Sequence, residues 1–148
     1  MNTNPYYLPE GLPRPTAEND GLSKPYWDAL RDEQLLIQRC AGCQTWQWGP
    51  EWICHHCLSF NMTWQAVAPR GRIYSWERSH HPVHPALKER GPYIAILVEM
   101  PRAGQVRMLG NLLGEASQDV IIGAEVIGEY EHHGGHTPYT LLQWRYAS

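Results

Sequence analysis

Phenylalanine and lysine are nearly missing from this 148-residue sequence. It holds one Phe, against 7 Trp and 8 Tyr, and its only lysines are Lys24 and Lys88. With Lys+Arg at 12 against Asp+Glu at 15, the net charge is -3. So few dispersed cations argue against a groove that tracks several phosphates of a nucleic-acid strand. No run approaches the roughly 18 consecutive apolar residues of a membrane span, and the first thirty residues carry no charged and apolar leader. A soluble protein of the reducing cytoplasm is therefore expected. No Gly-x-Ser-x-Gly and no phosphate-cradling glycine loop occur, and no cysteine lies outside one short segment. An independent enzyme is not expected. What is abundant is aromatic surface with a polar handle, the kind that anchors interfaces.

The chain divides into an arm and helix (1–36), a cysteine segment (37–64) and a β region (65–148). The first 22 residues are punctuated by Pro5, Pro9, Pro13 and Pro15 and show no period, so they read as an extended arm. Tyr6, Tyr7 and Leu8 give that arm apolar content with which to hold a partner. Ser23 is placed to cap a helix, with Pro25 in its first turn and Tyr26, Trp27 and Leu30 on one face. Alternation over 34–39 predicts a strand entering the cysteines. Beyond Trp64 the pattern predicts strands at 71–80, 93–100, 107–113, 125–132 and 137–146, with one longer connection containing residues 120–123. Five strands in about 80 residues suit a small barrel of the OB type. An SH3-like barrel has the same strand count.

Cys40-x-x-Cys43 and Cys54-x-x-Cys57 are two knuckles, with residues 44–53 between them. Each presents two thiolates at one turn, and two knuckles close a tetrahedron about Zn²⁺ at roughly 2.3 Å per bond. Gly42 is expected to relieve the first turn. Residues 45–48 and 51–53 read as short strands joined through Gly49 and Pro50, the layout of a zinc ribbon. Four thiolates leave no open position for water, so the centre is structural; iron in a rubredoxin-like site takes the same ligands. His55 and His56 are not needed as ligands.

These residues occur in a particular order. Pro25, Tyr26, Trp27 and Leu30 come first, then Gln38 and Arg39 before the first knuckle. After the second knuckle follow Gly71 to Trp76, then His81, Pro82, His84 and Pro85, then Pro92, Tyr93, Val98 and Glu99, and last Gly110, Asn111 and Leu112. In this the chain resembles the rubredoxin-like zinc-ribbon plus OB-fold acyl-CoA-associated family (domain of unknown function 35). The resemblance implies a mainly β chain made of arm and helix, four-Cys zinc ribbon and five-stranded OB barrel. It also implies a non-catalytic accessory subunit that binds and stabilises a thiolase-superfamily enzyme (ketothiolase, acyltransferase or steroid side-chain aldolase) in a hetero-oligomer and helps form an acyl-CoA channel. The proline-rich turn of the family is reduced here to Gly49-Pro50, and the second knuckle carries His55 and His56.

Strand alternation predicts one face bearing Arg72, Tyr74, Trp76 and Arg78, with Ile73 and Ser75 opposite. Such a face suits phosphates and a stacked base. Arg72, Arg78, His81 and His84 are therefore candidates for CoA binding or a channel, and Tyr6, Tyr7 and Trp27 for partner contact. A single-stranded nucleic-acid-binding OB protein is the alternative; the acidic charge balance favours the accessory subunit. The strings His80/His81/His84 and His132/His133/His136 read as exposed turn histidines.

Overall fold

A computed structural model describes residues 11–17 and 19–148, so Tyr6, Tyr7 and Leu8 lie outside the described residues. Helix α1 runs Lys24–Arg31 with Pro25 in its first turn, where the missing N–H costs nothing. Ser23 occupies the N-cap position, but its hydroxyl makes no capping bond. Ala29 and Leu30 face inward, and the helix stops in a tight turn with Glu33 at φ 55°.

Strand β1 (Leu35–Cys40) pairs antiparallel with β2 (Trp46–Gln47) on one side and β3 (Met62–Val67) on the other, making the ribbon sheet. β3 was not expected; its six residues match β1 one for one, from Leu35↔Val67 to Cys40↔Met62. Conversely, residues 51–53 form no strand.

The second sheet holds β4 (Arg70–Ser79), β5 (Tyr93–Met100), β6 (Val106–Asn111), β7 (Glu125–His133) and β8 (Tyr139–Tyr146), in the order β6-β5-β4-β7-β8. Its two edges meet in a parallel bridge between Leu112 and Trp144. First strand central, third and fifth strands closing in parallel: this order makes the nearly closed barrel an OB fold, which counting strands alone does not decide. β8 begins at Tyr139 rather than residue 137 because Pro138 has no N–H to give the ladder.

Ile94, Ile96, Val98 and Met100 alternate inward from β5, where they meet Ile73, Met108, Val126 and Trp144. Leu30, Leu35 and Ile37 belong to the same buried cluster, so helix, ribbon and barrel share one core. Each fully buried Leu or Ile contributes on the order of 2 kcal/mol. The turn Pro101–Ala103 after β5 also joins the ribbon: Gly104 lies so close under Trp46 that a Cβ there would come within 2.7 Å of the indole.

Candidate functional site

The four cysteine sulfurs lie within 4.8 Å of one another, and no other group of metal-ligating side chains is found among the described residues. Sγ of Cys40 is 3.6 Å from that of Cys57, and Sγ of Cys43 is 3.6 Å from that of Cys54. A tetrahedron with bonds of about 2.3 Å has edges of about 3.8 Å. The donor set therefore fits a four-thiolate metal centre, and all four cysteines are free thiols.

Both knuckles use one backbone device. The residue after the second cysteine turns left-handed (Gln44 at φ 65°, Leu58 at φ 61°), and its N–H returns to the carbonyl of the first cysteine at 2.9 and 3.0 Å. Gly42, expected to relieve the first turn, does not have a positive φ; Gln44 takes that conformation instead. The thiols respond to their surroundings. The Thr45 hydroxyl, 3.1 Å from Cys43, holds its pKa down at about 5, assisted by the Thr45 N–H. The Cys43 N–H leads those that lower Cys40. Cys57 accepts the Ser59 N–H, which lowers it, but desolvation and the other three sulfurs outweigh that and push it up to about 12. The surroundings thus favour the thiolate at Cys43 and Cys40 and the thiol at Cys57, and metal binding releases the protons that remain.

Two glutamines hold the second knuckle in place. Gln38 and Gln47 are register partners across β1 and β2, and both are buried. Gln38 accepts the Glu51 N–H at 3.0 Å and donates to the Glu51 carbonyl at 3.1 Å. Gln47 accepts the His55 N–H at 2.8 Å and donates to the Ile53 carbonyl at 3.1 Å. Side-chain amides thus replace the ladder of the expected strand at 51–53. His55 Nδ1 also meets Gln47 Oε1 at 2.7 Å, so its ring braces the turn. Gln47→Leu leaves the part-buried Ile53 carbonyl and His55 N–H without their partner, and a loss of about 1–2 kcal/mol is expected. A urea midpoint for this variant equal to wild type contradicts the clamp.

The remaining candidate residues do not converge. A β-bulge between Ile73 and Ser75 resets the alternation of β4, so Arg72 pairs with Glu99 on the outer face while Arg78 pairs with Ile94 on the inner one. The single face of Arg72, Tyr74, Trp76 and Arg78 is therefore not formed. Arg78 donates to the carbonyls of Ala116 and Gln118, tying down the 112–124 connection, and lies 5.3 Å from the Trp76 ring. Tyr74 is covered by the Arg107 guanidinium at 3.6 Å. His84 accepts the Ala86 N–H at 3.1 Å and caps the short turn Pro85–Leu87, whereas His81 is exposed. Trp27 is half-buried, packed on the core and edge-on to Tyr26 at 5.1 Å.

Comparison with known proteins accounts for this assembly of parts. Residues 27–63 match the family described as ChsH2, rubredoxin-like zinc ribbon domain, and residues 64–129 match ChsH2, C-terminal OB-fold domain. The solved Ltp2-ChsH2(DUF35) aldolase contains a chain that superposes with a TM-score of 0.77 at 32% identity, over 91% of this chain and 100% of that one. The chain belongs to the ChsH2 family. Among curated proteins, a probable enoyl-CoA hydratase alpha subunit of Thermomonospora curvata is 37% identical over 116 residues. That match takes in 78% of this chain and 34% of the relative, so the chain spans about a third of that protein's length. A DUF35 protein of unknown function from Sulfolobus solfataricus shares the fold, with a TM-score of 0.57 at 13% identity over 85% of each chain.

In this ChsH2-family chain, the glutamine clamp and β3 escape sequence reading. The available signal was a glutamine two residues before Cys40, on a strand otherwise rich in apolar residues. Among the described residues, no helix is long and apolar enough to cross a membrane.

Proposed function

We propose that this chain is a non-catalytic subunit of an acyl-CoA-processing complex, docked on a thiolase-like partner in a cytoplasmic hetero-oligomer, with zinc in its ribbon. The observation that carries this reading is the match along the whole length of the ChsH2 chain in a solved aldolase named for two components. The name of the hydratase relative points to the same class of thioester. The chain's own side chains fit a supporting part. Its four thiols make one closed ligand shell, and Arg78, His84 and His55 are occupied in holding loops. The chemistry is thereby assigned to the partner, with the barrel beside its acyl-CoA channel.

The surface suits docking. Around the second knuckle Trp52 is 55% exposed, Leu58 67% and Phe60 77%, an unusual concentration for a small domain. Zinc is favoured over iron because a ribbon needs no redox change. The nucleic-acid alternative loses its main support with the bulge in β4, which separates Arg72 from Arg78, and each exposed ring of β4 already has an arginine of this chain against it.

The test is co-expression with thiolase-like proteins encoded in the same genome, followed by size-exclusion chromatography with light scattering. A heteromer is expected, with acyl-CoA turnover by the complex and none by this chain alone. A monodisperse monomer that ignores every such protein, or turnover by the isolated chain, refutes the proposal.

A further inference from the structure

We propose that a concavity at the foot of β4 binds the phosphate groups of a multiply phosphorylated nucleotide, with Arg70, Arg72 and Arg102 as its contacts. Under the function proposed above, on which this assignment of the ligand rests, that nucleotide is the phosphorylated adenosine end of a CoA thioester.

The depression measures about 390 Å³ and is lined by Arg70, Gly71, Arg72, Pro101, Arg102 and Glu125. Ahead of the bulge, strand alternation turns Gly71 and Ile73 into the core and sends Arg70 and Arg72 outward. Arg102 reaches the same hollow from the turn after β5. Three guanidiniums therefore share one hollow with a single carboxylate, in a chain whose net charge is -3.

Most other arginines here are already engaged. Arg39, Arg78, Arg107 and Arg145 each donate to an acceptor of the chain. Arg72 sits in register between Glu99 and Glu125, yet neither carboxylate pairs with it: Glu99 takes Arg107 at 3.0 Å and Glu125 takes Arg70 at 3.4 Å. Neither Arg72 nor Arg102 has an ion pair among the described residues. Their planar forks are free to grip phosphate oxygens in pairs, and guanidinium gives up its hydration more readily than ammonium.

The walls are rigid. Gly71 has no room for a Cβ, which would lie 2.5 Å from the Glu99 carbonyl oxygen, and Ala103 beside Arg102 is fully buried. The volume lies toward the lower end of the range for ligand pockets, about 300–1,000 Å³. It accommodates a phosphate cluster with its sugar and leaves the rest of a thioester outside, free to run toward a partner.

The experiment is isothermal titration of the metal-loaded full chain with CoA, dephospho-CoA, ATP, inorganic phosphate and a single-stranded oligothymidylate. CoA is expected to bind with an affinity that falls as salt rises. Removing its ribose phosphate should weaken binding about tenfold, as should Arg72→Ala or Arg102→Ala, each deleting charge-assisted bonds. Glu125→Gln removes the competing carboxylate and should tighten binding about threefold, a gain that no merely structural role predicts. CoA affinity indifferent to all three substitutions overturns the proposal, as does inorganic phosphate binding as well as CoA. Oligothymidylate bound through these arginines in place of CoA overturns it equally. Partner assembly, followed on the same variants, should not change. A chain that binds CoA here but assembles with nothing refutes the function proposed above and leaves this site standing; a complex whose CoA affinity ignores the arginines does the reverse.

Discussion

Cys43→Ser should yield protein that does not fold, rather than folded protein with weakened metal. Structural zinc contributes on the order of 10 kcal/mol or more of apparent folding free energy, comparable to the roughly 5–15 kcal/mol that holds a whole domain together. Loss of one thiolate opens the four-sulfur shell. The damage does not stay local, because Leu35 and Ile37 of the ribbon strand lie in the same buried cluster as Trp144 and Val98 of the barrel. Wild-type protein should carry one metal per chain by elemental analysis, and a strong chelator should unfold it in a single transition. Acid should do the same. The Thr45 hydroxyl and N–H lower the Cys43 thiol from its ordinary 9.0 to about 5 in the folded chain, so its contribution to stability is full above pH 9 and is lost progressively as pH falls through about 5. A soluble, metal-free Cys43→Ser protein with native circular dichroism would defeat this prediction.

Gly110→Ala should lower stability by about 3 kcal/mol, roughly 10 °C in Tm for a chain of this size. Gly110 sits on β6 where the barrel closes against β8. A Cβ there would lie 2.5 Å from Cδ1 and 2.7 Å from Nε1 of Trp144, with the Leu142 carbonyl oxygen at 3.3 Å. Trp144 is fully buried and has nowhere to retreat. Either the indole leaves its rotamer or β6 lifts from β8, breaking the Leu113 N–H bond to the Trp144 carbonyl (2.7 Å) and the Asn111 N–H bond to Gln143 (2.8 Å). Gly134→Ala is the control: nothing lies within 4 Å of its Cβ position and its φ is not positive. Scanning calorimetry showing the two variants melting together would rule out the close approach.

The barrel was legible because turn residues separate its strands and β5 alternates cleanly. β5 was placed to the residue, since Ile94, Ile96, Val98 and Met100 declare the inner face without interruption. The metal ligands were legible because knuckle spacing is a local property of the chain. What was missed depends on pairing. β3 alternates only over Met62–Gln65 and buries no residue fully, so the signal is short and its register with β1 is what makes it a strand. The 51–53 segment has strand-like composition, yet Gln38 and Gln47 supply the hydrogen bonds that a neighbouring backbone would otherwise give. The bulge in β4 involves no glycine and leaves no mark in composition, but it decides that Arg72 and Arg78 part company. The concavity lined by Arg102 was invisible for a similar reason, because Arg102 meets Arg70 and Arg72 only through the fold.

The connection between β6 and β7 shows how such distant ties shape the order of events during folding. Residues 112–124 contain no helix or strand; backbone bonds to Ile94, Trp144 and Ile73 fix their two ends, and side chains from far along the chain hold the middle. Arg78 reaches the Ala116 and Gln118 carbonyls across 38 and 40 positions, and the Tyr146 hydroxyl donates to the Asp119 carbonyl and accepts the Ile121 N–H across 27 and 25. Such bonds repay the entropy of closing their loops only after β4 and β8 have been fixed by the sheet. The middle of the connection, residues 115–121, is therefore expected to order last and to open first, released by one guanidinium and one phenol while its ends stay bonded to the barrel.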